Sequence, residues 1–97
     1  MFRLFQPVNF EWDDQKAASN EAKHGVSFDA AAWIFQDARR LEDADGRWGY
    51  GEERFNIVGK VEGIVLHVTC TRRGEWARLI SARLADREER KRYGDGA

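Results

Sequence analysis

Cysteine and proline each occur once in the 97 residues, histidine twice, and no apolar run approaches a membrane-spanning length. A single thiol, Cys70, makes no internal disulfide, and with only His24 and His67 beside it there is no spaced ligand set of the zinc type. We therefore expect neither a disulfide scaffold nor a metal centre, and no cofactor. One proline argues against a linker-rich or low-complexity chain. The opening Met1-Phe2-Arg3-Leu4-Phe5-Gln6-Pro7 is too short in its apolar part for a signal peptide, so the expected location is cytoplasmic, with no membrane partner.

What is present is globular in character: 42% of residues are hydrophobic and 34% charged. The length suits one core, so residues 1–97 are expected to form a single domain. The net charge of -1 hides a sorting along the chain. Residues 1–70 hold eight basic and twelve acidic side chains, and residues 71–93 hold eight basic and four acidic. A basic C-terminal third has the layout of a phosphate-backbone site, although a solvated helix with salt bridges would carry the same charges.

Alternation in Val8-Asn9-Phe10-Glu11-Trp12 predicts a short strand. Asp13 or Asp14 supplies the N-cap of a helix through Lys23, and Gly25 stands where a left-handed residue ends one. Ser27 caps a second helix, in which Phe28, Ala31, Ala32 and Phe35 fall at i, i+3, i+4 and i+7. Residues 37–53 are polar and glycine-rich. They read as a hairpin or mobile loop around a short strand near Leu41, with Trp48 and Tyr50 exposed. Strands follow over residues 54–61, 64–71 and 75–84. The breaks at Glu62-Gly63 and Arg73-Gly74 have hairpin chemistry, which makes these strands antiparallel neighbours. Asp86 and Glu89 form a capping-box-like start for a last helix to about Tyr93, stopped by Gly94. The expected fold is α+β: an antiparallel sheet of about four strands with two N-terminal helices and a short C-terminal helix, one sheet face covered and the other partly open. Trp12, Trp33 and Trp76 are expected to supply core surface. Cys70 reads as an inert buried thiol, and His67 as a hydrogen-bonded sheet residue.

Several short pieces, in order along nearly the whole chain, carry a family resemblance. They are Phe10-Glu11-Trp12-Asp13, Lys16, Asn20, Lys23-His24-Gly25-Val26-Ser27-Phe28, Ala31 and Phe35-Gln36-Asp37. Later come Gly51-Glu52-Glu53-Arg54-Phe55, Gly59, Thr71, Arg73-Gly74, Arg78-Leu79-Ile80-Ser81-Ala82-Arg83, Ala85, Glu89, Arg90 and Tyr93. Together they resemble the BrnT family of toxins. The resemblance implies a RelE-like fold, ribonuclease activity that halts translation, and neutralisation by a ribbon-helix-helix antitoxin, BrnA.

Metal-free RNA cleavage needs a base for the 2′-hydroxyl, cations for the pentacoordinate phosphate and an acid for the 5′-oxygen. Arg83 and then Arg73 are the first candidates for the phosphate, because a guanidinium fork donates two hydrogen bonds and stays charged. A surface salt bridge is the plainer role for each. His24 is a candidate acid or base, or a residue that answers the helix C-terminal dipole, and Lys23 beside it holds phosphate or does the same capping work. Tyr93 shares a helix face with Arg90 and either meets RNA or staples the helix to the sheet. Arg78 and Arg90 are candidate substrate contacts. So are Glu52 and Arg54, which share a strand face and equally suit a structural pair. Expected partners are the BrnA-like ribbon-helix-helix antitoxin, an RNA substrate, DNA only through the antitoxin, and a second toxin copy within the complex. The competing reading is a non-catalytic RNA- or protein-binding module inside a DNA-binding repressor complex.

Overall fold

The structure, a computed structural model, describes residues 5–49 and 52–94, and only the backbone of residues 45–49 and 52. Local chemistry sets the ends of the elements. The Asp13 carboxylate accepts the N–H groups of Gln15 and Lys16 at 2.9 and 3.0 Å, so α1 (Asp14–His24) starts there, and it ends at Gly25 with φ 72°. α3 (Arg87–Tyr93) opens on a complete capping box between Asp86 and Glu89 and closes at Gly94. β3 (Glu52–Val61) and β4 (Ile64–Arg73) meet at Glu62 and Gly63, whose φ values of 49° and 82° are those of a type I′ turn. β5 (Trp76–Leu84) follows a second tight turn at Gly74.

The sheet has five strands in the order β1-β5-β4-β3-β2 and is mixed, which corrects the expected four antiparallel strands. β1 (Asn9–Glu11) runs parallel to β5, with Phe10 beside Ala77. Three residues carry no sign of their partner's direction, and that partner lies more than sixty residues away. The second difference is β2 (Leu41–Gly49), which occupies much of the expected loop and pairs with β3, with an irregular register between Asp45 and Gly49. Its polar composition hides it, because an edge strand gains its order from the neighbour's hydrogen bonds. Tyr50 and the side chain of Trp48 lie outside the described residues.

The second helix also differs. α2 (Phe28–Ala31), capped by Ser27, passes at once into a 3₁₀ helix (Ala32–Gln36). The tighter winding adds Ile34 to Phe28, Ala31 and Phe35 in the core, and leaves Trp33 65% exposed. Trp76, at 44%, is also exposed, so of the three expected core tryptophans only Trp12 packs inward, edge-on to Phe28. The core itself lies between the helices and one sheet face: Ile57, Leu66, Val68, Cys70, Ala77, Leu79 and Ala82 meet Phe28, Ala31, Ile34 and Phe35. Cys70 is sealed there, and burial pushes its thiol up to about 12.

Two polar contacts fasten the layers. Asn20 on α1 donates to the Ala82 carbonyl at 2.8 Å and accepts from the Ala82 N–H at 3.1 Å, so one amide side chain satisfies the backbone of β5 beyond the end of β1. Arg40 is buried and donates to the carbonyls of Phe5, Phe35 and Asp37, to Gln6 and to Glu42 at 2.6 Å. It ties the N-terminal segment, the 3₁₀ helix and the start of β2 together. Arg40→Ala would leave the buried Glu42 carboxylate without its counter-charge, holding only the Phe5 N–H, a loss on the order of 3–5 kcal/mol. Glu62→Asn, by contrast, places a residue tolerant of positive φ in the turn and should stabilise by about 0.5–1 kcal/mol. Urea unfolding of the two variants checks both signs.

Candidate active site on the open sheet face

The face away from the helices is set by alternation. In β4, Leu66, Val68 and Cys70 point into the core, so His67, Thr69 and Thr71 point out. β5 would not match this if it were regular. With Ala77 and Leu79 inward, strict period two would also bury residues 81 and 83. Instead the register slips by one between Thr69↔Ser81 and Cys70↔Leu79, a bulge at Ile80. Ala82 thereby reaches the core, and Arg83 comes to the open face directly beside His67.

Three transverse rows result. Val58, His67 and Arg83 form the first, Asn56, Thr69 and Ser81 the second, and Arg54, Thr71 and Arg78 the third. Adjacent rows are about 7 Å apart along the strands. Within the second row, Thr69 Oγ1 donates to Asn56 Oδ1 at 2.9 Å. α3 covers one end of this face, where Tyr93 packs with Val58 and Val65.

The first row holds the densest chemistry. Arg83 donates from Nη1 and Nη2 to the two oxygens of Glu89 at 2.8 and 2.9 Å, and from Nη1 to the Leu84 carbonyl at 3.1 Å. Its Nε–H and second Nη2–H carry no acceptor among the described residues, so a complete two-donor edge remains beyond the one Glu89 occupies. Hydrogen bonding to Glu89 holds the guanidinium above its ordinary value. Burial works to raise the Glu89 carboxyl, but the hydrogen bonds from Arg83 and the Asp86 N–H outweigh it and hold the group below the usual carboxylate range. His67 Nε2 lies 3.6 Å from Glu89 Oε2. Burial, and then the adjacent Arg83 charge, lower the imidazole below its ordinary 6.5, so it is neutral at pH 7. Its Nδ1 is buried with no hydrogen-bond partner among the described residues, as is Thr71 Oγ1 two rows away. Buried polar atoms without a hydrogen-bond partner are uncommon, and these lie on the same face as Arg83.

The residues singled out from the sequence divide by location. Arg83, Arg78 and Arg54 share the open face. Arg73 lies at the far end of β4, about 20 Å from His67 along the strand, and it and Arg78 approach Glu11 Oε1 at 3.5 and 3.7 Å. Arg90 is exposed on α3, beside a small cleft with Ile64, Leu84 and Ala85. Tyr93 is buried, and its hydroxyl donates to Asp37 Oδ2 at 2.5 Å. Lys23 and His24 end α1, the helix that packs along β5 through Asn20, and neither makes an ion pair among the described residues. The Glu52 side chain lies outside the described residues. The sequence reading took His67 for a hydrogen-bonded sheet residue, and placed Glu89 in the helix cap and among the residues that carry the resemblance, but gave neither a part in the site. The available signal was the run His67, Thr69, Thr71, polar at every second position of an otherwise apolar strand. Among the described residues no group of three His, Cys, Asp or Glu side chains is placed to hold a metal ion, and no helix is long and apolar enough to cross a membrane.

A basic, hydroxyl-lined sheet face with one neutral histidine against a clamped arginine is the kind of surface that handles a phosphodiester, and the family comparison gives the class. Residues 12–89 match the family described as the ribonuclease toxin, BrnT, of type II toxin-antitoxin systems. The chain belongs to the BrnT family, a family whose members work against an antitoxin partner. No curated protein matches the chain.

The pKa directions fix the response to acid. His67 binds its proton more weakly folded than unfolded, so stability declines as pH falls below 6.5. Glu89 is also depressed, so its contribution is present above the ordinary carboxylate range and is lost as pH falls through its lowered folded value. Melting temperature should therefore be flat near pH 7–8 and fall in two stages on acidification. His67→Ala should remove the upper stage, and Glu89→Gln should weaken the lower one, as a calorimetric pH series would show.

Proposed function

We propose that this BrnT chain is a metal-independent endoribonuclease that cuts RNA on the open sheet face and so inhibits translation. The observation that carries the reading is the His67, Arg83 and Glu89 cluster, which joins a neutral base, a fixed cation and the carboxylate that orders them. In this reading His67 Nε2 takes the proton of the 2′-hydroxyl, and the resulting imidazolium is stabilised by Glu89 beside it. The free edge of Arg83 holds the non-bridging oxygens as the phosphate becomes pentacoordinate, and the P–O5′ bond breaks as the 5′-oxygen takes a proton from solvent water, leaving a 2′,3′-cyclic phosphate and a 5′-hydroxyl. Arg54 and Arg78, two rows along, hold neighbouring phosphates, and Arg73 and Arg90 extend the cationic path. Tyr93 acts as a positioning residue that fixes α3, and hence Glu89. Lys23 and His24 are given no step. In the cytoplasm a ribbon-helix-helix antitoxin covers the basic face and supplies any contact with DNA.

Cleavage of a synthetic RNA in EDTA tests this directly. His67→Ala should reduce kcat by on the order of 10²–10⁴ with the melting transition retained. Arg83→Lys should lose on the order of 10²-fold, because an ammonium lacks the fork. Since the base must be unprotonated, kcat/KM in the wild type should rise from acid pH with a midpoint below 6.5 and level off by neutrality, and the remaining activity of His67→Ala should lack that limb. Wild-type rates in His67→Ala would remove the residue from the reaction.

A further inference from the structure

A cleft outside the site above, of about 620 Å³, opens where the 3₁₀ helix, the turn between β3 and β4, and α3 meet. Trp33 stands at its lip, largely exposed, and Arg39, Lys60 and Tyr93 line it. The Arg39 guanidinium lies 5.3 Å and the Lys60 ammonium 5.9 Å from the centre of the Tyr93 ring, so one ring has two cations beside it. Asp37 accepts the Tyr93 hydroxyl, the Lys60 N–H and the Arg39 N–H, so its oxygens are bound to a phenol and two backbone groups. Asp37 and Glu62 line the cleft as well, so its charge is mixed, and its two cations are gathered beside Tyr93, a footprint the size of a single phosphate. Gly63 leaves part of the wall without a side chain.

We propose that this cleft is a second RNA subsite, taking one unpaired nucleotide of the strand being cut, with its base stacked on the Trp33 indole and its phosphate on Arg39 and Lys60. An exposed aromatic plane beside cations is the arrangement that single-stranded RNA recognition uses, and the volume suits one nucleotide. The placement fits the site already described, and the inference rests on the ribonuclease reading. Tyr93 and Glu89 are four residues apart on α3, so they share a helix face within about 6 Å of axis. A strand lying over His67 and Arg83 therefore reaches the cleft by crossing a single turn of α3.

The test is binding of a fluorescein-labelled 2′-O-methyl oligonucleotide, which keeps RNA geometry and offers no 2′-hydroxyl, followed by anisotropy. Trp33→Ala should weaken binding about tenfold, and Trp33→Phe should recover most of the loss. Arg39→Gln should weaken it several-fold and flatten its salt dependence. All three substitutions are at exposed positions, and unchanged melting temperatures confirm that folding is intact. Affinities equal to wild type in Trp33→Ala and Arg39→Gln overturn the subsite, as does a wild-type chain that does not bind the strand. Wild-type RNA affinity combined with weakened binding of the antitoxin makes the cleft a protein-docking surface and overturns it equally. None of these readouts requires cleavage, so the ribonuclease reading stands or falls separately on the EDTA assay.

Discussion

One extra residue in β5 is the constraint on which the chemistry depends. The core needs Ala77, Leu79 and Ala82 on the helix side, and a strand of strict period two offers Ala77, Leu79 and Ser81 instead. The bulge at Ile80 resolves the mismatch. Its consequence reaches beyond packing, because every side chain after the slip changes face. Arg83 would otherwise stand beside Leu66 and point into the apolar layer, where an unpaired guanidinium costs several kcal/mol. The slip turns it to the open face and sets it across from His67. The hydrophobic effect, acting on three small core residues, thus decides where a cation stands.

Glu89 then joins folding to that cation. One carboxylate closes the α3 capping box through the Asp86 N–H, grips both terminal nitrogens of Arg83 and faces His67 Nε2. A free arginine on a strand samples several rotamers, and ordering it when phosphate arrives would subtract from binding. Here the ordering is complete before any ligand comes, which is the preorganisation a charged transition state needs. The same arrangement makes α3 a structural prerequisite of the site: a fraying last helix would release Arg83 and expose His67 together. Tyr93, buried at the end of that helix and bonded to Asp37, secures the other end of the same short element.

The parts of the fold readable in the sequence are those whose determinants are local. Asp13, Gly25, Asp86 with Glu89, Gly94 and the Glu62-Gly63 turn each act within four residues, and each does what its chemistry dictates. The parts not readable depend on partners far along the chain. β1 finds its parallel neighbour in β5, the polar stretch from Leu41 is ordered by β3, and Arg40 collects carbonyls from three segments. The candidate site divides the same way. Arg83, Arg78 and Arg54 stood out by charge and by family resemblance, but their common face rests on a bulge that no local pattern announces. His67 was passed over because a lone histidine in a strand is usually structural. Its meaning comes from Arg83 and Glu89, sixteen and twenty-two positions later.

The short parallel strand at the sheet edge shows how little structure is needed to shape the electrostatics of that face. β1 contributes three residues, and Phe10 turns into the aromatic core against Phe35. Alternation then sends Glu11 to the opposite side, between Arg73 and Arg78. At 3.5 and 3.7 Å these are ion contacts longer than a good charged hydrogen bond, and Glu11 Oε1 is buried with no hydrogen bond among the described residues. A single carboxylate is thus shared between the two arginines at more than hydrogen-bond distance. The face thereby combines cations with an acid, within a chain whose near-neutral overall charge limits indiscriminate adhesion to polyanions.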